Sequence, residues 1–228
     1  MIHKFKPCMD ILLSAQHRLW SELRNAPNLG FTLYGGTAIA LRLGHRHSVD
    51  FDFFSEKSLD REVIKAAFPF MAQSTTLQDR GNTWVVLVPY GDSEREYVKV
   101  SFFGAIAFGR VGEPDFTDDG VLQVASFDDL MATKLKVVLQ RAEAKDYRDI
   151  AAMLNAGVRL SRGLASACLL YGLNFQPSES LKALVYFNDG DLNTLSASEK
   201  STLVDAVKAV RDLPDVTLLS TCLSRLKS

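Results

Sequence analysis

Two short segments carry the residue types that chemistry requires. The first is Tyr34-Gly35-Gly36-Thr37, and the second is Asp50-Phe51-Asp52, which begins thirteen residues after Thr37. Val49-Asp-Phe-Asp-Phe53 alternates with period two, so a strand here sets Asp50 and Asp52 on one face and Phe51 and Phe53 on the other. Two ionised carboxylates one pleat apart repel each other, from which a purely structural strand gains nothing. A Mg²⁺ ion takes hard oxygen ligands and is well held there, and Mn²⁺ would also fit. The Gly35-Gly36 pair, lacking Cβ atoms, lets the backbone turn sharply and approach a ligand closely. If a helix starts at this turn, the N–H groups of its first turn favour a phosphate. Metal and phosphate together describe a site for a nucleoside triphosphate. Arg42, His45, Arg46 and His47 lie just before the acidic pair and can supply positive charge to departing phosphates.

Neither segment is specific alone. A Gly-Gly turn is usually only a turn, and Asp-x-Asp is often solvated surface. The chain has neither a GxGxxG dinucleotide pattern nor a Walker P-loop. What raises the functional reading is the pair, at this separation, in a strand–turn–helix–strand setting.

The surrounding elements are those such a site needs. Phe31-Thr-Leu-Tyr34 reads as a short strand running into the glycines, and Thr37–Leu43 as a compact helix stopped by Gly44. Residues 8–25 form an amphipathic pattern through Ile11, Leu12, Ala15, Leu19 and Leu23, and residues 59–68 look helical. Thr75–Asp79, Thr83–Val88 and Tyr97–Phe103 read as strands, the first two joined by a Gly81-Asn82 turn. Residues 109–125 are loop-rich, with Val121–Val124 as a last strand. From Ser126 the pattern turns helical. Ser126-Phe-Asp-Asp129 resembles a capping box that opens a helix to about Gln140. Helical segments follow at about 145–155, 162–172, 178–187 and 199–211, the last preceded by Ser196-Ala-Ser-Glu199. The expected organisation is α+β: a mixed-sheet core over residues 1–125, then a helical domain over 126–228.

Composition narrows the class. The 228 residues are 47% apolar, 23% charged and 10% aromatic, which excludes a disordered or fibrous chain. The formal net charge of −1 provides no global field for nucleic acid, so a polyanion must be held locally. Cys8, Cys168 and Cys222 form no close pair and suit a reducing compartment. No apolar run approaches the ~20 residues of a membrane span, and Asp10 and His17 interrupt any signal-peptide pattern. A cytoplasmic protein without a membrane partner is expected.

Leu33-Tyr-Gly-Gly-Thr-Ala-Ile-Ala-Leu-Arg-Leu-Gly-His-Arg-His-Ser-Val-Asp-Phe-Asp-Phe-Phe54 resembles the signature of the polymerase-β-like nucleotidyltransferases. More narrowly, it resembles that of the AbiEii/AbiGii toxin branch. Asp129-Leu-Met-Ala-Thr-Lys-Leu-Lys136 and Arg141-Ala-Glu-Ala-Lys-Asp-Tyr-Arg-Asp-Ile150 resemble that branch's lysine motif and its Arg/Lys-Asp-x-x-Asp motif, in the expected order. The resemblance spans roughly residues 31–155. It implies a polymerase-β-like core and a reaction in which a 3′-hydroxyl attacks the α-phosphate of a bound NTP and pyrophosphate leaves. It implies that Asp50 and Asp52 hold one or two Mg²⁺ ions and that Gly35, Gly36 and Thr37 line the phosphates. By the same resemblance Lys134 reaches the triphosphate, and Asp146 or Asp149 completes the site. It further implies an RNA acceptor, tRNA for some members, and a toxin with an antitoxin partner.

One position departs from the superfamily pattern. On Glu96–Phe103, where a third carboxylate is usual, the matching residue is Ser101. Asp146 or Asp149 then supplies the charge, or the metal site is weaker, or the protein no longer turns over. The last case would leave a silent binding module. A glycosyltransferase also uses Asp-x-Asp with Mn²⁺, but offers no role for Gly35-Gly36.

Plainer readings stand beside the rest. Lys134 and Arg141 share one helical face, which is ordinarily a solvated stripe. Asp149 is spaced to pair with Lys145, and Asp146 lies one turn from it. The basic residues Lys134, Lys136, Arg141, Lys145 and Arg148 suit an RNA backbone or a charged surface helix about equally. Glu113, Asp115, Asp118, Asp119, Asp128 and Asp129 read as loop and cap chemistry. His45 and His47 lack a third zinc ligand nearby. Trp20, Trp84 and the phenylalanines at 51, 53, 102 and 103 read as core.

Overall fold

The structure is a computed structural model that describes residues 3–89 and 97–225. Met1, Ile2 and Glu96 lie outside the described residues. The chain divides into two compact units. The first takes the residues up to Gly109, Glu113–Ala125 and the chain from Ser220; the second takes Arg110–Gly112 and Ser126–Leu219. A single cut at 125/126 therefore becomes an interleaved division.

The first unit is built on an eight-stranded mixed sheet. Its strands are β1 (Lys4–Phe5), β2 (Thr32–Tyr34), β3 (Asp50–Phe54), β4 (Thr75–Arg80), β5 (Thr83–Pro89), β6 (Tyr97–Phe103), β7 (Asp115–Thr117) and β8 (Gln123–Val124). They lie in the order β1-β7-β8-β2-β3-β6-β5-β4. Strand β3 runs antiparallel to β2 and parallel to β6, so the segment with both aspartates is central. Gly81, at φ +57°, makes the expected two-residue turn between β4 and β5. Strands β1 and β7 carry no local signal: two or three residues are too few for a period, and long-range pairing defines them.

One face of this sheet is the core. Phe51, Phe53, Val100 and Phe102 are fully buried, and Trp84 nearly so. Phe53 and Phe102 stack at 5.7 Å, and Phe31 and Phe68 meet Phe102 at 5.2 and 5.5 Å. Burial of each such ring is worth roughly 1.5–3 kcal/mol. Phe103 departs from expectation. Alternation puts it on the opposite face with Ser101, where it is only half-buried and meets Phe54 edge-on.

Helices α1 (Ser14–Trp20), α2 (Gly35–Leu43) and α3 (Arg61–Ala67) belong to the same unit. The helix expected over 8–25 is thus a single short α-helix flanked by 3₁₀ turns at Met9–Ile11 and Ser21–Asn25. The break lies at Leu13, which is extended and whose N–H donates to Gln16 Oε1 at 3.0 Å, so the helix starts afresh there.

The second unit is helical, with α4 (Phe127–Val137), α5 (Ala144–Asn155), α6 (Leu160–Tyr171), α7 (Pro177–Ala183) and α8 (Ala197–Ala209). At α8 the capping box closes in both directions between Ser196 and Glu199. At α4 it closes in one only. Ser126 Oγ accepts the Asp129 N–H, but the Asp129 carboxylate accepts from Val111 N–H (2.8 Å) and Gly112 N–H (3.2 Å). Those bonds bring residues 110–112 into the helical unit. Burial pushes the Asp129 carboxyl above its ordinary range, against the pull of these donors. Among the described residues no helix is long and apolar enough to cross a membrane.

Helices α4 and α6 approach closely at Gly163, where a Cβ would lie 2.2 Å from Met131 Cγ. Gly163→Ala is expected to lower stability by about 1–3 kcal/mol through overpacking. Adding Met131→Ala should recover part of that loss in urea denaturation; a double variant with purely additive losses would contradict the contact.

Candidate active site

The glycine turn and the acidic strand meet directly. Tyr34, the last residue of β2, pairs with Asp52 of β3, and the chain then enters α2 at Gly35 with φ +76°. A Cβ on Gly35 would lie 2.6 Å from Asp52 Oδ2. Glycine is needed there twice over, for the left-handed backbone and for the space the carboxylate fills. No side chain caps α2 at Tyr34, and Gly36 lies in its first turn. The Asp52 carboxylate is held at a helix N-terminus, where the dipole favours negative charge.

Asp50 and Asp52 share one face of β3, while Phe51 and Phe53 point into the core. The parallel register sets Asp50 beside Lys99 of β6 and Asp52 beside Ser101. Ser101 is thus next to the second aspartate and on its face, and it is buried. Lys99 Nζ lies 2.7 Å from Asp50 Oδ2, both side chains partly exposed. Sequence reasoning missed Lys99. Its signal was its position two residues before Ser101, hence on the same face of the strand.

Several residues expected at the phosphates serve elsewhere. The Thr37 hydroxyl is buried and shared between Ser48 Oγ, at 2.7 Å, and the Asp50 carbonyl. It ties α2 to the start of β3 and does not line an open site. Arg42 is also structural. Its guanidinium contacts Asp115 Oδ2 at 2.7 Å, donates to the Val124 and Ala125 carbonyls, and lies 4.6 Å from the Phe5 ring centroid. Burial draws its pKa down despite the partnership with Asp115. Arg46 donates to the His47 carbonyl, and His47 Nδ1 lies 3.1 Å from the Ile11 carbonyl. No group of three His, Cys, Asp or Glu placed to hold a metal occurs among the described residues.

The lysine motif and the Arg/Lys-Asp-x-x-Asp motif converge inside the helical unit. Lys134 of α4 is buried, and its Nζ lies 2.6 Å from both Asp146 Oδ1 and Asp149 Oδ2 of α5. Arg141 adds a 2.8 Å contact to Asp146 Oδ2. Lys134 is therefore not on a solvated stripe, and Asp149 pairs with it rather than with Lys145, which goes to Glu143. Both carboxylates, one or other of which was expected to complete the site, are wholly buried and face cations. Burial opposes the charge on Asp146, but Lys134 and Arg141 outweigh it and hold the carboxyl below its ordinary range. The remaining basic residues have local partners: Lys136 donates to the Asn174 carbonyl, and Arg148 reaches Thr194 and Glu199. This favours the charged-helix reading of that stretch over an RNA track.

The acidic residues of 113–129 are likewise engaged. Asp119 accepts from Trp20 Nε1 at 2.7 Å, and Asp128 pairs with Arg162 at 2.6 Å.

Comparison with known proteins matches residues 18–217 to the family model described as nucleotidyl transferase AbiEii toxin, type IV toxin–antitoxin system. An uncharacterized protein of Aquifex aeolicus (strain VF5) is 29% identical over 161 residues, covering 70% of this chain and 74% of that protein. Among solved structures, MenT4, a nucleotidyltransferase toxin of Mycobacterium tuberculosis H37Rv, aligns with TM-score 0.48 and 14% identity. That alignment covers 84% of this chain and 91% of that one.

Replacing Gly35 with Ala should cost more than about 1 kcal/mol, because the backbone angle is unfavourable and Asp52 must move. Thermal melting checks it, and an unchanged melting temperature would contradict the close approach. Lys134→Met removes the ammonium shared by two buried carboxylates and should cost about 3–5 kcal/mol near neutral pH. In the native protein Asp146 has a depressed pKa, so its contribution is present above the unfolded-state value and is lost as pH falls through the folded one. In the variant the carboxyls have lost that ammonium and take up protons more readily, so the gap from wild type should narrow on acidification. Urea denaturation at neutral and acidic pH measures both; a gap that widens in acid would refute the cluster.

Proposed function

Because the chain belongs to the AbiEii nucleotidyl transferase toxin family of type IV toxin–antitoxin systems, it is a nucleotidyltransferase, and we propose that it moves an NMP from an NTP to the 3′ end of an RNA. In this proposal the acceptor is tRNA, Mg²⁺ is required, the protein acts in the cytoplasm, and an antitoxin restrains it. The observation that carries the reading is the placement of Asp50 and Asp52 on one face of β3, with Asp52 Oδ2 inside the volume a side chain at Gly35 would take.

The donor set fits the ion. Two carboxylates beside a serine hydroxyl are hard oxygen donors, and Mg²⁺ is usually held by one or two carboxylates with substrate phosphates filling its shell. When bound, the ion would supply the charge that neutralises the reacting phosphates.

The chain's own residues do the rest. Gly35 and Gly36 let the backbone come close to a phosphate, and the first-turn N–H groups of α2 can bind it. Thr37 acts through the Asp50 carbonyl, anchoring the strand that bears both acids. The tRNA acceptor is supported by the resemblance of the three motifs to the toxin branch. A sugar-nucleotide reading has no family support and no role for the glycines.

The test is transfer of label from each α-labelled NTP to tRNA and to other RNAs. Asp50→Ala with Asp52→Ala should reduce labelling by at least roughly a thousandfold, several kcal/mol of lost transition-state stabilisation. The Lys99 pair lost with Asp50 is partly exposed and contributes only about 0–1 kcal/mol, and urea denaturation checks that the double variant is folded. Undiminished labelling in a folded double variant would dispose of the mechanism. Labelling of other RNAs but not of tRNA would dispose of the acceptor.

A further inference from the structure

We propose that the last base of the acceptor RNA stacks on Phe103, with Arg80 holding the strand behind it. The enzyme then takes an RNA whose 3′-terminal base is unpaired. The inference rests on the nucleotidyl-transfer reading above and adds how the acceptor is held. The β3–β6 register pairs Asp52 with Ser101 and Phe54 with Phe103, so both rings share the face that carries the acids. They meet edge-on at 5.1 Å, and Tyr34 stacks on Phe54 at 4.8 Å. Phe102, on the opposite face, is fully buried, whereas Phe54 and Phe103 are only half-buried. Among the described residues Phe103 meets no ring besides Phe54. The same row continues across the sheet: Phe103 pairs with Thr83 of β5, and Thr83 with Arg80 of β4. Arg80 is exposed, and among the described residues its guanidinium has no ion pair.

Direction identifies what the ring takes. Strands β2 and β3 are antiparallel, with Thr32 beside Phe54 and Tyr34 beside Asp52. The chain enters α2 immediately after Tyr34, so the helix N-terminus and the two phenylalanines lie on opposite sides of Asp52. In the reading above the departing phosphates are held at that helix. The 3′ oxygen bonds to the α-phosphorus as the bond to pyrophosphate breaks, with the attacking and leaving oxygens roughly in line. The acceptor therefore approaches from the side of the rings. Phe103 is one strand across and one same-face step along from Asp52, about 8 Å by strand spacing, which one ribose spans with its base. Arg80 lies two strands beyond Phe103, about 10 Å away, where the backbone behind that base can cross. An aromatic ring followed by an exposed cation suits single-stranded RNA, because any base offers a π-face and the phosphate behind it finds charge. A terminal base still paired would bring its partner strand against the sheet.

The experiment is transfer of label from each α-labelled NTP to tRNA with its natural 3′ end, and to the same tRNA with the terminal base removed and the 3′-hydroxyl kept. Wild type, Phe103→Ala, Phe103→Leu, Phe103→Trp and Arg80→Ala are compared, and circular dichroism verifies folding. Phe103→Leu keeps bulk beside Phe54 should the alanine variant fail to fold. On the natural end Phe103→Ala and Phe103→Leu should raise the RNA KM about tenfold with the NTP KM unchanged, and Phe103→Trp should keep it low. On the abasic end wild type should show the same rise, and the alanine and leucine variants no further one. Arg80→Ala should raise the KM for both ends and flatten its salt dependence. A rise in the NTP KM alone would overturn the inference, because the ring would then hold the incoming base. An unchanged RNA KM would overturn it too, as would losses that add between ring removal and base removal; nucleotidyl transfer would stand in each case. Unaltered salt dependence in Arg80→Ala would overturn the part given to Arg80. Absence of transfer to either tRNA by folded wild type would overturn both this inference and the tRNA acceptor beneath it.

Discussion

A carboxylate oxygen fills the volume that a side chain at position 35 would need. That mutual exclusion between Asp52 and any residue larger than glycine organises the candidate active site. It makes the turn from β2 into α2 left-handed, and it places an anion at the helix N-terminus. It also sets how closely the backbone at the start of α2 approaches the acidic pair proposed to hold the metal. The buried Thr37 hydroxyl secures the arrangement from behind by joining the helix to the carbonyl of Asp50. Bulk at Gly35 or slack at Thr37 would disturb the same few ångströms.

The two units handle charge in opposite ways. In the sheet unit, Asp50 and Lys99 meet at a half-open surface, where solvent screens the pair and keeps it exchangeable. In the helical unit, Lys134, Asp146 and Asp149 are closed off from water. There the ions depend on one another, because any one left alone would bear the full cost of burial. The first arrangement suits a group that must change partners when substrate arrives. The second suits a rigid joint between α4 and α5.

Much of this was legible in the chain before any coordinates. Alternation along residues 49–53 correctly assigned the faces of β3, and Ser196-x-x-Glu199 correctly marked a capped helix. Other readings failed for identifiable reasons. Arg42 lies next to the acidic motif in sequence, yet Asp115 and two carbonyls from β8 and its end draw it inward. The capping box at Ser126 is one-sided because Asp129 is diverted to backbone donors seventeen and eighteen residues away. The helix over 8–25 broke at Leu13 because the Gln16 side chain reached back to its N–H, an outcome periodicity does not encode.

Short-range geometry was therefore settled by sequence: which side chains share a strand face, where a glycine must pivot, and which signature the chain carries. These depend on a two-residue repeat and on the absence of one carbon atom. Register between strands and the burial of charge were settled only by the tertiary structure. Nothing in the local pattern sets Lys99 beside Asp50, since forty-eight intervening residues must fold before those strands pair. Nothing local buries Lys134 either, because a lysine on a helix leaves water only when another helix brings carboxylates to meet it.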